Sequence, residues 1–290
     1  MRRKTEEGLA RAHSIQLAVF GKPVAHSLSP RIHRVFGQQL GMDVDYQAIE
    51  SSPDELSARL SAFRDGGGSG ANLTLPLKEV GLRLCSAIDP VARRARAVNT
   101  LKTTDEGWRG YNTDGAGLVL DLERLGLEVA GKRILVIGAG GAVAGILEPL
   151  LDKRPECICL LNRTPERARR LADKFAHKGS LEAASLKDGP GDTPCDLLIQ
   201  STSAGHSGNT PTLNRQWLTE QASAYDLNYG SAHTAFAGWC RDNDLPVHDG
   251  LGMLVGQAAL AFEIWTGKRP DLQQALAAMR NEKKKVKGKR

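Results

Sequence analysis

The sequence predicts an α/β fold in two units, each layered around a mostly parallel sheet. Three observations carry that expectation. Strand-length apolar runs alternate with helix-period segments almost throughout. A short apolar run, a glycine cluster and a helical period follow one another in KRILVIGAGGAVAGILEPLL, residues 132–151. The chain is also 290 residues long, enough for one large or two medium cores.

Along the first unit, strands are predicted near 17–22, 44–49 and 71–75, with helices at about 30–40, 53–63 and 77–88. The second helix is signalled by Ser52-Pro53, a cap followed by a proline suited to the first helical turn. The run 100–112 reads as a hairpin turning at Asp105-Glu106-Gly107. A helix over about 115–125 leads into the second unit. There CICLLN ends a strand at Asn162, Thr164-Pro165 opens a charged helix, and 196–203 and 223–229 read as buried strands. The stretch 178–195 is turn-rich and expected to be exposed. From Gly250 to about Arg280 two helices are expected, broken near Lys268-Arg269-Pro270, with Leu254, Ala258, Ala261 and Phe262 at helical spacing. Late helices of this kind are expected to return to the first unit. The expected division is therefore 1–115 joined by 250–282, then 116–249, with 283–290 as a disordered basic tail.

Composition excludes several classes. Apolar residues make up 41% and charged residues 25%, which is ordinary globular usage and argues against general disorder. The net charge of +6 resides in the last eight residues, which hold six cations and no acid; residues 1–282 are balanced. A neutral body with a basic end points to a solvated terminus rather than a nucleic-acid groove, with a functional tail as the alternative. The longest apolar stretch, Ile134–Leu147, is 14 residues, too short to span a bilayer, and no apolar signal segment follows the basic N-terminus. Five cysteines show no metal-ligating spacing and no disulfide framework, so no metal is expected and a reducing cytoplasm fits best. A strand at CICLL would bury Cys157 and Cys159 on one face as small hydrophobes.

Gly138, Gly140 and Gly141 stand where a strand hands over to a helix. Backbone N–H groups there can approach a pyrophosphate, and the helix N-terminus favours its charge. Val143 occupies the third glycine position of the strict pattern, although Ala142 and Ala144 beside it are small. A tight turn without ligand is the alternative. The next strand ends in Asn162-Arg163-Thr164, with Arg167 one turn on, where an NAD site usually carries an acid. Guanidinium groups pair with phosphate, so the tip reads as NADP-preferring; Glu166 keeps NAD or dual use open.

Polar clusters stand at the strand-to-helix junctions of the first unit, where open α/β sheets bind ligands. Ser27 and Ser29 could hold a small carboxylate, though Ser29 before Pro30 is equally a helix cap. Asn72 and Thr74 are expected on one strand face. Lys78 falls in the first turn of the following helix, where a cation opposes the helix dipole at a cost of about 0.3–1 kcal/mol. Asp114 either caps the helix near Gly115 or serves as carboxylate partner to Lys78.

SLSP at 27–30, NLTLPLK at 72–78, AVNT at 97–100, NTDG at 112–115, GAGGA at 138–142, NRT at 162–164 and DGLGMLVGQA at 249–258 together resemble the shikimate dehydrogenase family, in order and over nearly the whole chain. That resemblance implies an N-terminal α/β substrate-binding domain and a C-terminal Rossmann domain facing each other across a cleft. It implies NADPH-dependent reduction of 3-dehydroshikimate to shikimate, on the route to chorismate and the aromatic amino acids. By the same resemblance Lys78 is the catalytic acid/base beside Asp114. Ser27 and Ser29 bind the substrate carboxylate, and Thr74, Asn99, Asp114 and Gln257 its hydroxyls, while Tyr229 reaches the substrate. Gly138, Ala139, Gly140, Gly141 and Ala142 cradle the pyrophosphate, and Asn162, Arg163, Thr164 and Arg167 take the 2′-phosphate side. Leu227 and Gly250 line the nicotinamide. A small-molecule substrate is implied, with no nucleic-acid or membrane partner, in a monomer or homodimer.

Two departures from the family pattern stand near the implied nicotinamide and substrate. Gln200 replaces asparagine in QSTS, and Ala235 replaces proline in GSAHTAF. A quinate/shikimate dehydrogenase using NAD or NADP, and a non-catalytic NADP-binding sensor, are the competing expectations. The sensor is disfavoured by the presence of both Lys78 and Asp114.

Overall fold

The computed structural model describes residues 14–287. In the first sheet β1 (Ile15–Gly21) and β2 (Val44–Glu50) run parallel, connected through α1 (Ser29–Leu40). The chain continues through α2 (Leu56–Asp65) to β3 (Gly70–Leu73), parallel to β1 on its other side. Next come α3 (Lys78–Leu82), β4 (Cys85–Ile88), α4 (Pro90–Ala95) and a hairpin of β5 (Thr100–Thr104) and β6 (Gly107–Tyr111). The sheet order is β2-β1-β3-β5-β6-β4, with β5 antiparallel to both its neighbours and β4 parallel to β6. The hairpin turns at Asp105-Glu106, and Gly107 takes φ +121°, a conformation glycine reaches without a Cβ clash.

After α5 (Asp114–Arg124) the second sheet is wholly parallel. It comprises β7 (Arg133–Ile137), β8 (Cys157–Asn162), β9 (Leu181–Ser185), β10 (Cys195–Gln200), β11 (Leu218–Asp226) and β12 (Val247–His248). The helices between them are α6 (Gly141–Leu151), α7 (Pro165–Phe175) and α8 (Thr234–Asp242). The order β12-β11-β10-β7-β8-β9 is that of a doubly wound dinucleotide-binding sheet, whose winding reverses between β7 and β10. Ile134, Val136, Ile158, Leu160 and Ile199 bury one face, and Leu135, Ile137, Cys157, Cys159 and Leu198 the other. Burial on both faces is why these strands read as unbroken apolar runs.

Two final helices, α9 (Leu251–Thr266) and α10 (Leu272–Lys287), return to the first sheet's side. Val255, Ala258 and Phe262 of α9 and Leu276 and Met279 of α10 pack with Ile32 and Phe36 of α1. The α5–α9 crossing is close because it is built of glycine. A Cβ on Gly117 would stand 2.5 Å from the Gln257 nitrogen, and one on Gly256 2.8 Å from the Gly117 oxygen. Buried Asp121 ties the same crossing to β11 by accepting from Tyr225 Oη at 2.7 Å, besides pairing with Arg124 at 2.7 Å.

Several expectations need correction. The helix expected over 77–88 is a five-residue α3 followed by β4, because Leu84, Cys85 and Ile88 gain more from packing on the first core beside β6 than from continuing the helix. The helix expected from 53 starts at Leu56: Glu55 turns back to accept from the Ser52 N–H and hydroxyl, both at 2.9 Å. Within the turn-rich stretch 178–195 lies the edge strand β9, whose weak β-propensity is offset by parallel pairing with β8. The tail expected to be disordered is helical to Lys287, since lysine is a fair helix former and α10 is already nucleated by packed residues upstream; 288–290 lie outside the described residues.

Candidate active site

A cleft of about 670 Å³ opens where β1, β3 and β11 end and α9 begins. Its walls include Ser27, Ser29, Thr74, Lys78, Asn99, Asp114, Leu227, Tyr229, Gly250 and Gln257. Residues far apart in the chain thus meet in one space.

The pair at its centre is Lys78 Nζ and Asp114 Oδ2, 2.7 Å apart. Lys78 starts α3, and Asp114 starts α5 with only 8% of its surface exposed. Helix capping does not occupy this carboxylate: no side-chain cap is made at α5, and the Asp114 N–H is itself received by Asn112 Oδ1 at 3.0 Å. Its second oxygen, Oδ1, accepts from Asn99 Nδ2 at 2.9 Å. Ser29 is likewise not a cap. It is the buried first residue of α1, and its N–H donates to Ser27 Oγ at 3.2 Å. Both serines line the cleft.

Behind these groups runs a buried hydrogen-bonded wall. Asn99 Nδ2 also reaches Thr113 Oγ1 at 2.9 Å and Gln257 Oε1 at 3.2 Å, while its Oδ1 accepts from the Thr113 N–H and the Thr100 hydroxyl, both at 2.9 Å. Asn72 Nδ2 donates to Thr100 Oγ1 at 3.1 Å and to the Asn99 carbonyl at 3.0 Å, and Asn72 Oδ1 accepts from the Tyr46 hydroxyl at 2.7 Å. Although β3 ends at Leu73, the Thr74 N–H still bonds the Phe20 carbonyl at 2.9 Å, and Asn72 and Thr74 both line the cleft. Burial raises the Tyr229 phenol above its ordinary range, so near neutral pH it is a proton-bearing hydrogen-bond donor.

On the second sheet, Gly138 follows β7 at φ +118°, and a Cβ there would stand 2.4 Å from Ser201 Oγ, across the β7–β10 crevice. Around Gly140 and Gly141 a Cβ would meet nothing within 4 Å, so Gly138, Ala139, Gly140, Gly141 and Ala142 leave open room against backbone amides at the start of α6. At the tip of β8, Arg163, Thr164 and Arg167 are exposed, and Asn162 Nδ2 holds the Thr164 carbonyl at 2.8 Å. Neither arginine carries a salt bridge among the described residues, whereas Glu166 is paired with Arg169 at 3.5 Å. An open amide-lined turn with unpaired guanidiniums nearby fits a dinucleotide bearing an extra phosphate.

With this geometry in view, comparison with known proteins is informative. Residues 19–101 match the model of the shikimate dehydrogenase substrate binding domain, 121–226 that of shikimate/quinate 5-dehydrogenase, and 250–280 that of the shikimate 5′-dehydrogenase C-terminal domain. A shikimate dehydrogenase (NADP(+)) of Xylella fastidiosa is 44% identical over 271 residues, 92% of this chain and 96% of that one. The chain belongs to the shikimate dehydrogenase family. Two solved structures share the family fold. An Ael1 enzyme from Pseudomonas putida is 37% identical at a TM-score of 0.86, covering 91% of this chain and 98% of its own. The shikimate 5-dehydrogenase of Thermus thermophilus, solved with NADP(H) and shikimate, is 35% identical at a TM-score of 0.82, covering 92% and 99%.

Sequence reasoning missed some of the lining in this family member. His206, on the turn after β10, and Lys22, after β1, also face the cleft, as does His26 at the head of the Ser27–Ser29 cluster. His206 and Lys22 both stand beyond strand carboxyl ends, so the strand-end rule applied to every strand would have found them. Met253 on α9 carried no such signal. Gln200, one of the two departures, turns back on itself: its amide bonds Thr202 Oγ1 at 2.9 Å and the Thr202 N–H at 3.0 Å. Neither Gln200 nor Ala235 lines the cleft.

Proposed function

We propose that this protein reduces 3-dehydroshikimate to shikimate with NADPH, in the formation of chorismate and the aromatic amino acids. The observation that carries the reading is the 2.7 Å contact between Lys78 and Asp114 inside a cleft faced by the glycine-turn sheet. The substrate lobe is residues 1–115 with 250–282, and the cofactor lobe is 116–249. The relatives' names and the exposed Arg163 and Arg167 support NADP as cofactor. A monomer or homodimer handling only small molecules completes the reading. No helix among the described residues is long and apolar enough to cross a membrane, and the five free cysteines accord with a reducing cytoplasm.

Ketone reduction needs a hydride donor on one face of the carbonyl and a proton donor within hydrogen-bond reach of its oxygen. Reduced nicotinamide, when bound, supplies the hydride. Lys78, as an ammonium, gives its proton to the carbonyl oxygen and is held in place by Asp114, which Asn99 holds in turn. Ser27, Ser29 and Tyr229 receive the ring carboxylate, while Thr74, Asn99 and Gln257 take the hydroxyls. The turn 138–142, with Asn162, Arg163, Thr164 and Arg167, would hold the pyrophosphate and the 2′-phosphate. Leu227 and Gly250 would bound the nicotinamide. The pieces pack tightly there: a Cβ on Gly250 would stand 2.3 Å from the Leu227 oxygen.

Absorbance at the reduced-nicotinamide band tests this directly, with shikimate and NADP+ supplied together. Growth of the band is expected, faster than with quinate and faster than with NAD+. Faster turnover of quinate with NAD+ would replace the reading with a quinate dehydrogenase. Cofactor binding without turnover would leave only a sensor.

A further inference from the structure

The second sheet carries a side-chain cluster that this chemistry does not use. Cys157 and Cys159 are two apart on β8 and place both thiols on one buried face, 2% and 1% exposed. Glu182 on β9 stands in register opposite Cys159. The two sulfurs and a Glu182 carboxylate oxygen all lie within 4.8 Å of one another, and Cys159 Sγ donates to Glu182 Oε2 at 3.1 Å. A cavity of about 140 Å³ reaches Cys159 and Glu182 beneath Gly189, Pro190 and Gly191, which gives the cluster a way in.

Sulfur donors select thiophilic cations, and a carboxylate in the set favours a borderline ion over a purely soft one. In a tetrahedral site with metal–sulfur bonds of about 2.3 Å and metal–oxygen bonds of about 2.0–2.2 Å, donor atoms stand roughly 3.3–3.8 Å apart. The three atoms here need to close by only about an ångström to reach that spacing. Arg133 already sits as an outer partner: its Nη2 is 3.4 Å from Cys159 Sγ and 3.1 Å from Glu182 Oε2, and its buried Nε has no partner. A guanidinium so placed hydrogen-bonds a thiolate and offsets the negative charge of a metal–thiolate group.

We propose that Cys157, Cys159 and Glu182 bind a thiophilic divalent cation of the zinc class, with solvent completing the set. Binding exchanges protons for metal: two thiols become thiolates on one cation and two protons leave to solvent, with no change of oxidation state. Sequence spacing hid the site because the carboxylate arrives 23 residues after Cys159, on the neighbouring strand.

Titration of the reduced full-length protein with Cd2+, followed by the ultraviolet thiolate-to-metal charge-transfer band, tests the proposal. The band is expected to saturate at one equivalent per chain and to vanish in Cys159→Ala. Glu182→Gln, at a half-exposed position that tolerates change, should weaken Cd2+ about tenfold or more. Cys85→Ser, outside the cluster, should leave the titration unchanged. Absence of the band at one equivalent in the wild-type protein overturns the proposal, whatever the variants do. So does an undiminished band in folded Cys159→Ala, or an unaltered affinity in Glu182→Gln. Because no nicotinamide turnover is read, failure here leaves the proposed reductase activity standing.

Discussion

The two halves of the candidate active site are built on opposite principles. On the first sheet's side Asn99, Thr100, Thr113, Asp114 and Gln257 are buried and bonded to one another. On the second sheet's side Gly140, Gly141, Arg163 and Arg167 are exposed, and the two arginines carry no salt bridge among the described residues. The difference teaches that one half is preorganised by the fold, while the other offers free donors that a ligand's own charge can order. Substitutions in the buried wall should therefore cost folding and turnover together, and substitutions at the β8 tip should cost only cofactor affinity.

Four variants sharpen or break that contrast. Lys78→Ala removes the proton donor and should lower turnover about a hundredfold or more while NADPH binding, read by nucleotide fluorescence, stays unchanged. Full activity in that variant would remove the catalytic assignment. Asn99→Ala strips partners from the Thr113 N–H and from Asp114, so urea unfolding should show a loss of about 1–3 kcal/mol together with reduced turnover. An unchanged midpoint would mean that the wall is not preorganised.

The third variant addresses pH. His33, fully buried and stacked on Tyr46 with ring centroids 4.3 Å apart, is pushed down by burial from 6.5 to about 3. In the unfolded chain it takes up a proton near 6.5, so its contribution is complete above that pH and is lost on acidification towards 3. The loss is about 1.4 kcal/mol per pH unit within that window. Urea unfolding between pH 7 and 5 should show this slope in the wild-type protein and a flatter one in His33→Phe; equal slopes would assign the acid sensitivity elsewhere. The smallest effect is expected at the exposed tip. Arg163→Ala should raise KM for NADPH about tenfold, narrow its advantage over NADH, and leave stability within about 0.5 kcal/mol. A large stability loss there would abolish the contrast between the halves.

What could be read from residues alone followed local chemistry. The glycine turn, the arginine-bearing strand tip and the two final helices were legible because each is a short segment whose backbone or charge requirement is written in consecutive residues. Strand β4 and the edge strand β9 were not, since Cys85–Ile88 and Leu181–Ser185 have little strand character and are held by pairing with β6 and β8. The closeness of Glu182 to Cys157 and Cys159 escaped for the same reason, since the carboxylate belongs to another strand.

The cleft shows the division of labour most clearly. Sequence alone determined that Lys78 sits where a helix would prefer an acid, and that Ser29 and Asp114 could serve either as caps or as ligand groups. Only the tertiary structure removed the capping role, by bringing Asp114 Oδ2 to Lys78 and Asn99 to Oδ1 and leaving Ser29 without a capping bond. Local propensity acts within a turn or two of the chain, whereas a hydrogen bond between residues 36 positions apart exists only after the sheet and the α5–α9 crossing have closed.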